Sequence, residues 1–274
     1  MQHDDVLSYG VTEQSIVASP IDSYAEEIVC KGYTTVDNVF SPDEVARARQ
    51  LLDELNVKQV ESFGSQNLEK ANDANILRCP LAYDDHFLSM ATHKTIHAII
   101  TQLLGNNYVL MMQNGIINKS DVKNYQVRWH RDLNYQHWTS SRPLVLNFLI
   151  ALDTFSFEGG ATMALPGSHR YEKFPSNVFV SKHETCLEAL PGSVIIMDGM
   201  TYHRAGINTI PGFTRRGVNH VVGLPFMGQQ IDIPNMLAKR GKDLSNDSFL
   251  SSFLGYRWNP ALDVEKWRQQ RLRK

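Results

Sequence analysis

The sequence predicts a mainly β fold, a sandwich-type core preceded by helices and followed by a mixed C-terminal extension. Three observations predict it. From Tyr108 onward the chain breaks into short apolar runs, YVLMM, YQVRW, LVLNFLIAL, VIIM and HVVGL, separated by Gly, Pro, Asn and Asp clusters, which is the pattern of many short strands. Upstream of that point the apolar residues recur at helical spacing instead. The chain has 274 residues, 42% hydrophobic and 20% charged, an ordinary globular composition that can bury one sizeable core. These observations set the expectation of a single domain over residues 1–274, with a helical part at about 15–105, a β core at about 106–228 and an extension at 229–274.

In chain order, residues 21–31 carry Ile21, Tyr24, Ala25, Ile28 and Val29 on one helical face, and Gly32 follows as a stop. The run YTTVDNVF reads as a short strand. Ser41-Pro42-Asp43-Glu44 is a helix start, with Ser41 as N-cap, Pro42 in the first helical position and Glu44 closing a capping box, and the helix should run to about Leu55. Residues 61–74 are polar and contain a Gly, so a loop lying over a pocket is expected there. Phe87, Met90, Ile96, Ile99, Ile100 and Leu103 predict one helix from His86 to Leu104, ended by Gly105. A last short helix is expected in DVEKWRQQRL. No internal repeat or low-complexity stretch interrupts this order.

The bulk properties exclude several classes of function. A formal net charge of -2 with scattered Lys and Arg is no nucleic-acid footprint. Cys30, Cys79 and Cys186 are odd in number, far apart and in no C-x-x-C pattern, so neither a disulfide framework nor a thiolate metal site is indicated. No stretch approaches the ~20 apolar residues of a membrane span, and MQHDDVLSYG has no basic region followed by an apolar run. A reducing, cytoplasmic setting is the expectation.

Chemistry concentrates in YQVRWHRDLNYQ. His130 and Asp132 stand two apart, and on a strand that spacing points both side chains to one face. His203, at the end of VIIMDGMTYH, is the expected third ligand. Two imidazoles and a carboxylate on one side of an ion leave coordination positions open, the arrangement that suits a non-haem iron(II) oxygenase with O2 and an organic cosubstrate.

The text around these residues is specific. WHRD is followed by LIALDTFSFEGGATMALPGSHR, an aliphatic strand, an acidic turn, a Gly-rich linker and Pro-Gly-Ser-His. PGSVIIMDGMTYHRAGINTIPGFTRRGVNH then carries His203, Asn208 and a basic pair. Over roughly residues 125 to 222 the chain resembles the phytanoyl-CoA dioxygenase family of Fe(II)- and 2-oxoglutarate-dependent oxygenases. The resemblance implies a double-stranded β-helix, or jelly roll, with His130, Asp132 and His203 on the metal at its open end. It also implies an Arg for the distal carboxylate of 2-oxoglutarate, here Arg215 or Arg216, since a guanidinium meets a carboxylate with two parallel hydrogen bonds. Neighbouring residues on a strand face opposite sides, so one of the pair points inward, and the spacing to Asn219 favours Arg215. Where such proteins often have a small hydroxyl residue two after the distal His, this chain has Ala205, so that hydrogen bond must come from elsewhere if it is made. The carboxylate Asp132, replaced by a small residue in related halogenases, implies hydroxylation or another C–H oxidation, with release of succinate and CO2.

Other residues carry bland readings beside functional ones. His137 reads as a surface or substrate-facing residue, and His169 as part of a turn. Gly159, Gly160 and Gly167 suit turns better than a phosphate cradle, because no helix start follows them at the required spacing. Gln113 is expected to contact the cosubstrate. Arg128, Trp138 and Asn114 are expected on the substrate side, Arg128 and Gln126 because they share the parity of His130. The substrate expected is a free small molecule of specialised metabolism. Two rival functions use the same residues: a cupin-like metal-dependent hydrolase or isomerase, and a non-catalytic jelly-roll binding protein. Dependence on the Arg pair and release of succinate separate the oxygenase from both.

Overall fold

In a computed structural model, residues 9–120, 125–133 and 137–272 are described. The N-terminal part is helical. Helix α1 (Pro20–Lys31) starts on the Ser19 side chain, which accepts from the Asp22 amide, and ends at Gly32 with φ 90°. After strand β1 (Tyr33–Val36), helix α2 (Pro42–Phe63) opens with the expected capping box of Ser41 and Glu44. It runs well past Leu55, and α3 (Ser65–Lys70) follows directly, so the loop expected over residues 61–74 is largely helix. The apolar stripe of α2, Val45, Ala48, Leu51, Leu52 and Leu55, ends where the sequence pattern ended. The last turns are exposed and rest on residues that favour helix without packing. Strand β2 (Ile76–Arg78) comes next. The helix expected from His86 to Leu104 is two, α4 (Asp85–Ala91) and α5 (Lys94–Leu104). They part at Thr92, whose hydroxyl donates to the carbonyls of Leu88 and Ser89.

The β core follows as β3 (Val109–Lys119), β4 (Val145–Ala151), β5 (Thr162–Ala164), helix α6 (Asn177–His183), β6 (Thr185–Leu187), β7 (Val194–Asp198), β8 (His203–Arg204) and β9 (Thr214–Gly223). The chain continues through α7 (Ile233–Ala238) and α8 (Ser248–Phe253) to α9 (Val264–Leu272), the helix expected in DVEKWRQQRL. A six-stranded antiparallel sheet, β1-β7-β4-β9-β3-β2, faces a three-stranded sheet, β6-β5-β8. One expected strand is absent. YQVRW forms a 3-10 turn over Tyr125–Val127, and pairing begins only at His130, in a single bridge to His203.

Alternation along the central strands divides the large sheet into two faces. Leu146, Phe148 and Ile150 of β4, Val194 and Ile196 of β7 and Val218 and Val222 of β9 point outward into the main core with the helices. Each such buried aliphatic or aromatic side chain contributes about 1.5–3 kcal/mol. At Gly115 of β3 a Cβ would lie 2.4 Å from Leu52 Cδ2, so α2 packs onto bare backbone there. The inner residues, among them Ile116, Leu149, Ile195 and Met197, meet Ala164 and Leu187 of the small sheet in a second, smaller core. The site lies between the sheets. Among the described residues, no helix is long and apolar enough to cross a membrane.

Candidate metal and cosubstrate site

His130, Asp132 and His203 converge. One ligand-competent atom from each lies within 4.8 Å of the others. The two histidines are locked to each other by backbone: each N–H donates to the other's carbonyl at 3.0 Å. Asp132 is held by its own amide, which donates to the Gly199 carbonyl at 3.0 Å. The parity expected of a strand is therefore replaced by a bridge and a bend that bring the same two side chains inward.

Both imidazoles are set up as ligands. His130 Nδ1 lies 2.8 Å from the Arg128 carbonyl and His203 Nδ1 lies 2.9 Å from the Thr201 carbonyl. A carbonyl can only accept, so Nδ1 carries the proton in each ring and Nε2 keeps its lone pair. Burial and the neighbouring His203 hold His130 below the ordinary imidazole range, against the Arg128 carbonyl and Asp132, and this lowering favours the neutral ligand form. His203 Nε2 stands 3.7 Å from Asp132 Oδ1, while Asp132 Oδ2 accepts from Asn147 Nδ2 at 3.0 Å.

The cavity beside these three is lined by Ile116, Leu149, Thr162, Met197, Ala205 and Arg215, with Gln126, Asn147, Arg204 and Asn219 completing the wall. Arg215 is fully buried. Its guanidinium carbon lies 4.5 Å from the Phe155 ring centroid, and Nε and Nη1 have no hydrogen-bond partner. Burial lowers its pKa to about 10, with Asp153 opposing, so it remains a cation at neutral pH. A buried cation with donors unused is unfavourable by itself and fits a bound carboxylate.

The other expected residues distribute unevenly. Arg216 faces the opposite side of β9, where it holds both Asp53 oxygens at 2.8 and 3.0 Å and Asp153 Oδ2 at 3.2 Å, so it does not enter the cavity. Gln113 also faces outward. It takes the Leu81 amide at 2.7 Å, donates to the Phe87 carbonyl at 2.9 Å and meets His220 Nε2 at 2.8 Å, a structural network in place of the expected cosubstrate contact. Arg128 is exposed and serves through its carbonyl alone, because the 3-10 turn breaks the parity argument. Trp138 is half-buried against the cluster containing Met111 and Leu133 and does not line the cavity. Asn114 lies on the inner face opposite Asn219, engaged by Arg78 Nη1 at 3.3 Å. His169 Nε2 donates to the Val29 carbonyl at 3.1 Å, and His137 is exposed; neither joins the metal-competent group.

Four polar lining residues were not anticipated: Asn147, Thr162, Arg204 and Asn219. Asn147 had a signal, being the one polar residue in the strand VLNFLIA. Thr162, in GGATMALPGSH, shares the cavity with Arg215 and Ala205 and carries the hydroxyl that position 205 lacks. Arg204 is paired with Glu184 at 2.8 Å, its guanidinium 5.2 Å from the Trp129 ring centroid.

A model of the family described as Phytanoyl-CoA dioxygenase (PhyH) matches residues 28–217. The chain belongs to the PhyH family. An uncharacterized protein of Mycobacterium tuberculosis (strain ATCC 25618 / H37Rv) is 27% identical over 219 residues, covering 77% of this chain and 78% of that one. A probable alpha-ketoglutarate-dependent hypophosphite dioxygenase of Stutzerimonas stutzeri is 29% identical over 157 residues, 53% of this chain and 52% of the relative. Among solved structures, the non-heme alpha ketoglutarate dependent epimerase SnoN from nogalamycin biosynthesis has the same fold, with a TM-score of 0.57 at 18% identity over 75% of this chain and 81% of that one. As a PhyH member with dioxygenase relatives and a His–Asp–His group, the chain is a 2-oxoglutarate-dependent dioxygenase with a jelly-roll core.

Proposed function

We propose that His130, Asp132 and His203 hold Fe(II), that Arg215 receives the distal carboxylate of 2-oxoglutarate, and that the enzyme oxidises a free small molecule of specialised metabolism. The observation that carries the reading is Arg215: a cation wholly buried, inside the cavity of the three ligands, with two nitrogens unpartnered. A dicarboxylate reaching from the metal ligands to this guanidinium would satisfy those donors with charge-assisted hydrogen bonds. Thr162 supplies a hydroxyl to the same carboxylate, and Ile116, Leu149 and Met197 enclose the methylene chain between. Bound iron, O2 and 2-oxoglutarate supply the oxidising chemistry, with succinate and CO2 as coproducts. The protein's part is geometric: neutral Nε2 atoms, an oriented carboxylate and a cavity wall that joins the ligands to Arg215.

A free substrate is supported by the absence of a phosphate-binding basic cluster in the sequence motifs, and specialised metabolism by the nogalamycin context of the epimerase that shares the fold. The decisive experiment follows succinate formation with Fe(II), O2 and 2-oxoglutarate across a panel of small molecules, with mass spectrometry of whichever one stimulates it. Gain of one oxygen indicates hydroxylation, and loss of two hydrogens desaturation or ring closure. Turnover unaffected by Arg215→Ala, or succinate release independent of Fe(II), would refute the assignment.

A further inference from the structure

We infer that Asn147 is a positioning residue for the metal-binding carboxylate, fixing which oxygen of Asp132 faces the ion; the inference rests on the metal assignment proposed above. Asn147 sits in the middle of β4, paired on one side to Met197 of β7 and on the other to Val221 of β9, so its backbone cannot yield. It is 3% exposed, an amide in an otherwise apolar strand. Such a group is retained in a buried strand only where it is partnered. The partner is Asp132 Oδ2, 3.0 Å from Asn147 Nδ2.

A carboxylate only accepts, so the nitrogen of the amide must face it and Oδ1 must turn away; that oxygen is buried and has no partner. The distance is held by backbone as well. Asp132 N–H donates to the Gly199 carbonyl at 3.0 Å, and Gly199 N–H donates to the Val145 carbonyl at 2.8 Å, two residues from Asn147 on the same strand. The carboxylate is thus hung from β4 at two points, its main chain and one side-chain oxygen. With Oδ2 taken by the amide, Oδ1, the oxygen facing His203 Nε2 at 3.7 Å, is the one presented to a metal. Without the amide N–H, Asp132 is free to rotate or to offer both oxygens, which changes both affinity and coordination number.

The test uses Co(II) as the probe, bound to full-length protein without 2-oxoglutarate. Calorimetry gives the dissociation constant, and the visible bands of bound Co(II) report its coordination. Wild type, Asp132→Ala, Asn147→Leu and Asn147→Ser are compared after circular dichroism has established folding, the serine variant standing in if the leucine variant does not fold. We expect wild type to bind, Asp132→Ala to lose binding, and both Asn147 variants to bind about 10–100-fold more weakly, with shifted bands at saturating Co(II). A folded Asn147 variant with an unchanged dissociation constant or an unchanged spectrum overturns the positioning role while leaving the metal site intact. Wild type that binds no Co(II) overturns the metal assignment itself.

Discussion

The two faces of the large sheet use polar residues in opposite ways, and adjacent positions on β9 make the contrast plain. Arg216, on the outer face, is engaged by Asp53 and Asp153. Arg215, on the inner face, is more deeply buried and holds two nitrogens without a partner. The same division separates Gln113, bound to two backbone groups and His220, from the cavity-lining Asn219, whose Oδ1 is unpartnered. At these two pairs of positions the outer polar side chain is engaged by its neighbours and holds the fold, while the inner one keeps a polar atom unpartnered in the cavity. A deficit of internal partners, more than residue type, separates function from structure here.

Substitutions on the two faces should therefore fail in different ways. The largest effect is expected from Arg215→Met. Losing the cation should weaken 2-oxoglutarate binding by at least ~100-fold, because its carboxylate would be buried unpaired. The same change should stabilise the ligand-free protein by about 1–4 kcal/mol, since an uncompensated buried charge is replaced by an apolar chain. Calorimetric titration and urea unfolding measure the two, and a ligand-free variant less stable than wild type would break the contrast between faces. Gln113→Met should do the reverse: a loss of about 3 kcal/mol in unfolding free energy, with 2-oxoglutarate affinity within twofold of wild type.

Asp198, on the outer face at the end of β7, gives a pH-dependent case. Burial pushes its carboxyl up to about 6 from 3.8, against the Met200 amide that donates to it at 2.8 Å. A carboxyl raised on folding favours the folded state only while protonated. Its contribution is full below the unfolded value of 3.8 and lost as pH rises through about 6. Asp198→Asn should therefore be more stable than wild type at pH 7.5, by about 3 kcal/mol at most, and match it near pH 4. Denaturant unfolding of metal-free protein between those pH values would show the two curves converge on acidification. The smallest effect is expected from Thr162→Val, a loss of one hydroxyl that should weaken 2-oxoglutarate about fivefold, or ~1 kcal/mol, with no change in metal binding by titration.

Much of this arrangement was legible in the sequence because its signals were local. The H-x-D pair, the Pro-Gly-Ser-His turn and the distal His lie in text whose order is distinctive, and the capping box at Ser41 marked a helix start that the structure has. Parity required one of the Arg pair to face inward and the spacing to Asn219 favoured Arg215, which is the one that lines the cavity. Parity failed where its premise failed. Parity misplaced Arg128, because the strand expected over YQVRW is a 3-10 turn at Tyr125–Val127, although Gln126 still reaches the cavity wall; β-rich composition over five residues does not ensure a pairing partner. Gln113, expected at the cosubstrate, lies on the outer face of β3, where its partners Leu81, Phe87 and His220 come from distant parts of the chain and leave no local signal. Asn147 and Thr162 were hidden differently: each needs a neighbour from a distant strand before its role is visible.

At Gly32 the chain closes a longer circuit. A Cβ there would come within 2.4 Å of Thr201 Oγ1 and 2.7 Å of His169 Nδ1, and the Gly32 carbonyl accepts from the Thr201 hydroxyl at 2.9 Å. The Thr201 carbonyl in turn accepts from His203 Nδ1. The tautomer of a histidine late in the sequence is thereby braced by a residue near its start. Helix α1, which looks like packaging around a β core, is in effect the footing of the distal ligand, and a side chain at position 32 would reach the reaction centre through a single intervening threonine.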